Sequence, residues 1–317
     1  RIKPLLKKFS AENKNIKLIE NKENLGFVKS VNLGLKEAKN DVVILNSDTV
    51  LPKNWLPRLM YPIWSSAKIA SVTPFTNAGT IASYPTSLKD NDIFLDLNID
   101  EIDQVFNSLN PNNYVSCPTG VGFCMAMSKK AIQKVGILDD VSFDKGFGEE
   151  NDWCRRAAKL DFENVITPNL FIWHKHGGSF TSEEKQKLTA KNTQNLVKKH
   201  PEYFGEVRKH ISNDELDSIR FYAIIKHAQI KASSKPILYI DHRIGGGANA
   251  YLDKKLATDK QNNPVLLFSY NFKLKCPELS LHFQNFSISR YFENTQDLFD
   301  FLNIIEIKQI FYFSSYW

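Results

Sequence analysis

Three strings carry side chains able to do chemistry. In DVVILNSDT, residues 41–49, the apolar run Val42 to Leu45 reads as a buried strand that delivers Asn46, Ser47 and Asp48 to its carboxyl end. Ligands gather at such strand ends in open α/β sheets. A carboxylate held there beside a small polar residue can coordinate a divalent ion bridging two phosphates, because hard cations prefer oxygen ligands. A capped strand-to-turn boundary would use the same residue types. In GFGEENDWCRRA, residues 146–157, Glu149, Glu150 and Asp152 crowd the mouth of a helix. Acids cap helices and complement their dipole, but these are denser than a cap requires, and Gly146 and Gly148 let the backbone approach a ligand. Adjacent acids raise one another's pKa toward working pH, which suits a general base. Asp152 and Arg156, at i and i+4, read as a structural ion pair. In FIWHKHGGSF, a strand ends in His174, with His176, Gly177 and Gly178 just beyond. Imidazole beside glycines can ligate a metal or a phosphate; a structural histidine is the plainer alternative.

These strings need a scaffold, and the pattern around them supplies one. The opening RIKPLLKKFS reads as the later half of a helix leading to a strand at Ile16 to Ile19. FVKSVNLGLKEA has helical spacing, DVVIL is a strand, and NWLPRLMYPIW follows in βαβα order. Helical crossovers between buried strands imply a mainly parallel sheet with helices on its faces. IASVTPFTNAGTIASY is a strand and loop, residues 89–113 are a loop-and-helix insertion, and VGFCMAMSKKAIQKVG is a strand and short helix ended by Gly136. A long polar helix follows Gly178, Pro201 interrupts it, and residues 214–234 form a further helix and linker. The division expected is 1–200, a helical linker over 201–234, and a second α/β unit over 235–317.

With 317 residues, 42% hydrophobic and 24% charged, the chain has the composition of a soluble globular protein of more than one domain. No apolar run reaches the roughly 18 residues that cross a bilayer. A cytoplasmic protein is expected, and the net charge of +6 would suit peripheral association with the inner face of the plasma membrane as well as anionic nucleotides. No aromatic-basic motif supports nucleic acid as a partner. Cys117, Cys124, Cys154 and Cys276 form no CxxC pair, so buried thiols are expected rather than zinc or disulfides. Neither end reads as a domain boundary, and a fragment of a longer polypeptide is expected.

Taken in order, NKENLGFVKSVNLGL, LNSDT, TGVGFCMAMS, GFGEENDWCRRA and WHKHGGSF resemble family 2 glycosyltransferases of the GT-A fold, particularly the rhamnosyltransferase-like branch, over roughly residues 1 to 200. The resemblance implies a metal-dependent, inverting hexosyltransferase that moves sugar from a nucleotide diphosphate donor to a saccharide or lipid-linked acceptor in surface polysaccharide synthesis. It implies Mn2+ or Mg2+ as cofactor, held by Asp48 and His174, with His176 as the alternative ligand. Asn46-Ser47-Asp48 takes the place of the DXD motif, with Asn at its first position. Glu150 takes the place of the catalytic base. Asn24, Gly26 and Asn32, with Asn46 and Ser47, are implied to lie at the donor; Thr119, Gly120, Val121, Glu149, Asp152 and Trp153 are implied to face donor sugar and acceptor. The family's first βα unit has no counterpart here, so the fragment itself is expected to bind nucleotide poorly. The readings left open are a nucleotidyltransferase and a non-catalytic nucleotide- or carbohydrate-binding module.

In the last third, ILYIDHRIGGGANAYL places Gly245, Gly247 and Ala250 in G-x-G-x-x-A spacing between a strand and a helix. A dinucleotide site needs an acid at the end of the next strand, and PVLLFSYN has none. The string looks more like the opening of a GT-B-type transferase, a partial Rossmann-like domain whose loop Gly245, Gly246, Gly247 approaches phosphate; an ordinary tight turn is the alternative.

Overall fold

A computed structural model describes residues 2–143, 146–175, 182–243, 245 and 247–313. The chain opens with helix α1 (Lys3–Glu12) and α2 (Gly26–Glu37), then strand β1 (Val42–Leu45), β2 (Thr49–Val50), α3 (Trp55–Ser65) and β3 (Ile69–Phe75). A loop leads to α4 (Ile99–Asn107), β4 (Val115–Cys117), β5 (Cys124–Met127), α5 (Lys129–Val135), α6 (Glu149–Ala158), β6 (Glu163–Phe171) and β7 (Trp173–His174). Three helices follow, α7 (Ser182–Lys199), α8 (Tyr203–Asn213) and α9 (Asp217–Ala232). The last part comprises β8 (Ile237–Ile240), α10 (Gly247–Asp259), β9 (Val265–Asn271), β10 (Cys276–Phe283), β11 (Phe286–Tyr291), α11 (Thr295–Asn303) and β12 (Gln309–Tyr312).

The architecture is mixed α/β with helices flanking the sheets. In the first sheet the order is β1-β5-β3-β6-β4. Strands β1, β3 and β6 point the same way, but β5 runs against both neighbours and β4 against β6, leaving β3–β6 as the one directly parallel pair. Central β3 is buried along its whole length, as its unbroken apolar and hydroxyl sequence requires of a strand covered on both faces. Because β1, β3 and β6 share a direction, their carboxyl ends line one edge, and the amino end of β5 joins them, Leu45 lying opposite Cys124. Helix α6 runs back toward the start of β6, which puts its acidic amino end at that same edge.

Residues 16–19, expected as a strand, form none. The open flank of β1 carries no partner among the described residues, so the extended run has no ladder to join, and Ile16 and Ile19 remain exposed. The second sheet has the order β11-β10-β9-β8-β12, parallel across β12-β8-β9 and antiparallel across β9-β10-β11. Residues 201–234, expected as a helical linker, are largely helical, as α8 and α9, and α9 also contributes to the core. Phe221, Ile224, Ile225 and Ala228 of α9 are buried in one apolar cluster with Phe75 and Phe106 of the first sheet's side and Leu266, Leu281 and Phe283 of the second sheet. Three cysteines are buried, Cys276 is half-buried, and all four are free. Among the described residues no helix is long and apolar enough to cross a membrane.

Candidate functional site

At the carboxyl edge, β2 and β7 form a two-stranded ribbon in which Thr49 lies opposite His174. That pairing brings His174 Nε2 to 3.4 Å from Asp48 Oδ1. The two residues come from distant parts of the chain, yet each was singled out at the end of its own strand. Asp48 keeps 42% of its side chain exposed, while the His174 side chain keeps 10%. The imidazole stacks on Phe123, ring centroids 5.0 Å apart at 21°. Phe123 also accepts the backbone N–H of Asn46 at 2.8 Å, so one residue holds both halves of the pair. The backbone of His174 is gripped by Asn77, whose Oδ1 accepts its N–H at 2.8 Å and whose Nδ2 donates to its carbonyl at 2.9 Å. Neither Phe123 nor Asn77 belongs to a motif with chemistry of its own, and no local signal marked them.

A divalent ion fits the Asp48–His174 pair. Ligands bound at about 2.0 to 2.3 Å to a shared ion can stand 3.4 Å apart, and an oxygen–nitrogen donor set suits Mn2+ or Mg2+. Among the described residues no cluster of three or more His, Cys, Asp or Glu side chains offers a full cage. An ion here would therefore complete its shell with phosphate oxygens and water, as ions that bridge substrate phosphates do. His176, the alternative ligand, lies outside the described residues.

The second half of the site is the start of α6. Gly146 and Gly148 adopt φ of 102° and 129°, a region open to glycine, and a Cβ on Gly148 would meet Phe143 at 3.0 Å. This turn sets Glu149 and Glu150 side by side, with Gly148 N–H at 3.4 Å from Glu150 Oε2. Burial pushes both carboxyls above the ordinary glutamate range, and the charge of Glu150 pushes Glu149 further. Among the described residues no donor reaches the buried Oε2 of Glu149, and backbone hydrogen bonds from Glu149 and Gly148 offset only part of the cost of burial. Burial, followed by the charge of Glu150, pushes up the phenol of Tyr203 on α8.

Residues 118–123 bridge the halves. At one end Thr119 Oγ1 donates to Asn151 Oδ1 at 2.5 Å, beside Glu150; at the other Phe123 packs on His174. Four residue steps span at most about 14 Å of extended chain, so Asn151 and His174 are held to one small region.

Several residues expected at donor or acceptor are buried or have protein partners. Asp152 is fully buried and binds Arg156 Nε at 2.8 Å, His200 Nε2 at 2.9 Å and Lys199 Nζ at 3.1 Å, which fills its carboxylate with protein partners. Its pairing with Arg156 is the structural one the spacing suggested. Trp153 is buried and donates from Nε1 to the carbonyl of Gly136 at 2.9 Å, because it is the main apolar anchor of α6. Glu149 is buried. Thr119 and Gly120 are buried as well: the Thr119 hydroxyl is taken by Asn151, and Gly120 packs against Met125 and Thr73, leaving Val121 half-exposed.

Asn32 is likewise held by the protein. Only 2% exposed, it donates to the carbonyl of Leu138 at 2.9 Å and accepts its N–H at 3.1 Å, tying α2 to the chain after α5. Asn32→Ala is expected to cost about 1 to 3 kcal/mol by leaving the Leu138 groups without partners, measured as a drop in the denaturant midpoint. Asn24, by contrast, is exposed and accepts the N–H of Gly26 at 3.0 Å, while Gly26 takes φ 75° to start α2. Ser47 is exposed and Asn46 half-buried.

In the last third, the loop after β8 is closed on itself. Asp241 Oδ2 accepts from Arg243 N–H and Asn249 Nδ2, each at 3.0 Å, and Gly245 N–H donates to Asn249 Oδ1 at 2.9 Å. The Asp241 carboxylate is buried, and the Gly245 N–H is engaged by Asn249. Gly247 opens α10, and Gly246 lies outside the described residues.

Among curated proteins none matches the chain. Solved structures that resemble it include GalNAc-T7 with UDP, GalNAc and Mn2+, at 15% identity and TM-score 0.46, the likeness covering 69% of this chain and 45% of that one. Another is the mannosyltransferase PcManGT from Pyrobaculum calidifontis in complex with GDP-Man and Mn2+, at 12% identity and TM-score 0.44, covering 80% of this chain and 66% of that one. The chain thus corresponds to under half the length of GalNAc-T7. Residues 1–136, which supply α2, the Asp48 turn and the β5 edge of the site, match the family model of Glycosyl transferase family 2.

Proposed function

We propose that the chain carries the metal-binding and proton-accepting part of a nucleotide-sugar glycosyltransferase that inverts the anomeric centre. The observation that carries the reading is the approach of His174 Nε2 to Asp48 Oδ1 at the carboxyl edge, in a sheet whose first strands match Glycosyl transferase family 2. Asp48 and His174 would hold a divalent ion, which would supply positive charge for the departing diphosphate. Exposed Asn24 and Ser47, with Gly26 and Asn46, line the donor side. Val121 borders donor sugar and acceptor. Glu150 accepts the proton of the acceptor hydroxyl as that oxygen attacks the anomeric carbon on the face opposite the leaving group. Glu149 keeps its own proton, since burial and the neighbouring charge both oppose its ionisation. The acceptor in this reading is a saccharide or lipid-linked hydroxyl of a surface polysaccharide, presented at the inner face of the membrane.

The test is a set of nucleotide sugars incubated with the chain and Mn2+ or Mg2+, with release of nucleoside diphosphate followed. Release that stops with a chelator and in Asp48→Ala is expected. Release indifferent to both would sink the reading.

A further inference from the structure

We infer that Asn77 is a positioning residue for His174, acting as a substitute strand for the outer edge of the β2–β7 ribbon; this rests on the metal-site reading above. The backbone pattern is the starting point. Lys175 N–H donates to the carbonyl of Asp48 at 2.9 Å, and Thr49 lies opposite His174. In an antiparallel ladder the residue between two such bonds turns its own N–H and C=O away from its partner strand. Those two groups of His174 are buried and need partners on the far side. The primary amide of Asn77 satisfies both, accepting at 2.8 Å and donating at 2.9 Å. An aspartate of the same length can accept but not donate, and an alanine can do neither.

The clamp is itself anchored. Asn77 is 4% exposed, so it touches no ligand and acts through His174. Its carbonyl receives the N–H and Nδ2 of Asn91 at 3.0 and 3.1 Å. The loop from Thr76 to Ser83 is closed by a bridge between those two residues. Arg220 of α9 holds that loop from behind, donating from Nε to the carbonyl of Ser83 at 3.0 Å and from Nη2 to that of Ile81 at 2.8 Å. A line of hydrogen-bonded contacts therefore runs from α9, which packs against the second sheet, to the backbone of His174. Asn77 fixes the direction of the His174 Cα–Cβ bond, Phe123 fixes the plane of the ring, and together they aim Nε2 at Asp48.

The experiment is Mn2+ titration of the full chain, read by electron paramagnetic resonance, with the nitrogen coupling of a bound imidazole recorded on the ion. Asn77→Ala is expected to weaken Mn2+ binding about tenfold, the scale found when a group that orients a metal ligand is removed, and to diminish the nitrogen coupling. Asn77→Asp, which keeps the volume and the acceptor, is expected to stay folded and to diminish the nitrogen coupling by less. Asp48→Ala and His174→Ala serve as references. If the wild-type chain binds no Mn2+, or if the reference variants bind as it does, the metal reading fails and the positioning role with it. If the references lose Mn2+ while both Asn77 variants keep wild-type affinity and nitrogen coupling, the positioning role alone is overturned.

Discussion

Glu150→Gln is expected to lower sugar transfer by about 10²- to 10⁴-fold, the range that a positioned general base contributes, while leaving donor affinity within about twofold. The amide keeps the size of the side chain but cannot accept a proton. In the proposed reading donor binding rests on the Asp48 side of the site, across the 118–123 bridge, so a product-inhibition or equilibrium-binding measurement should be almost unmoved. The neighbouring change gives the contrast. Glu149→Gln replaces a carboxyl already holding its proton with a permanent donor of the same shape, and its transfer rate should stay within a fewfold of wild type. The pH dependence follows from the same geometry. A base works deprotonated, and burial pushes the Glu149–Glu150 pair up, so the acidic limb of the pH–rate profile should lie above the ordinary glutamate value of about 4.3, with transfer rising as pH rises. Equal losses in the two glutamine variants, or full activity in Glu150→Gln, would remove Glu150 from the role.

The candidate site was legible in the sequence where chemistry sits at the end of a regular element. Asp48 and His174 each follow an apolar strand, and Glu150 follows a glycine turn that can start a helix, so local pattern alone placed them at edges where ligands collect. What the sequence could not convey is which side of a helix faces inward. Glu149, Glu150, Asp152 and Trp153 lie within five residues, but a turn of 3.6 residues sends them in different directions, and Asp152 is claimed by Arg156 on α6 itself, by Lys199 at the end of α7 and by His200 just beyond it. Asn32 and Thr119 sit in strings that look ligand-facing, yet their polar groups meet residues far away in the chain, Leu138 and Asn151. Asn77 and Phe123 went unmarked because positioning is a matter of contact, and contact leaves no spacing rule. The fold shows the same split. Helices and most strands follow from periodicity, whereas the reversed direction of β5 and the burial of α9 between two sheets depend on long-range packing.

The largest effect on stability is expected from Asp152→Asn. The carboxylate is wholly buried at the meeting point of α6, α7 and the chain after α5. Arg156 binds one of its oxygens and also donates to the carbonyls of Val135 at 2.6 Å and Ile137 at 2.9 Å; His200 and Lys199 bind the other. Lys199 in turn pairs with Asp139, whose Oδ1 accepts the N–H groups of Val141 and Ser142. Removing the charge of Asp152 leaves two or three cationic or donor groups facing a neutral amide that can accept at only one of the two positions. Breaking a buried pair in this way costs about 3 to 5 kcal/mol, set against roughly 5 to 15 kcal/mol for a whole domain. Burial by itself would raise the Asp152 carboxyl, but hydrogen bonds from His200 and Arg156, with the charge of Arg156 and the contact from Lys199, outweigh it and hold the group below its ordinary value. A depressed carboxyl contributes stability that is complete above the unfolded-state value of about 3.9 and is lost as pH falls through the folded-state value. Denaturant midpoints of the wild type should therefore fall steeply in acid, and those of Asp152→Asn should be lower at neutral pH and flatter below about pH 4. A variant as stable as wild type at pH 7 would mean that the network does not hold α6 in place, and Glu150 would then owe its position to the Gly146–Gly148 turn alone.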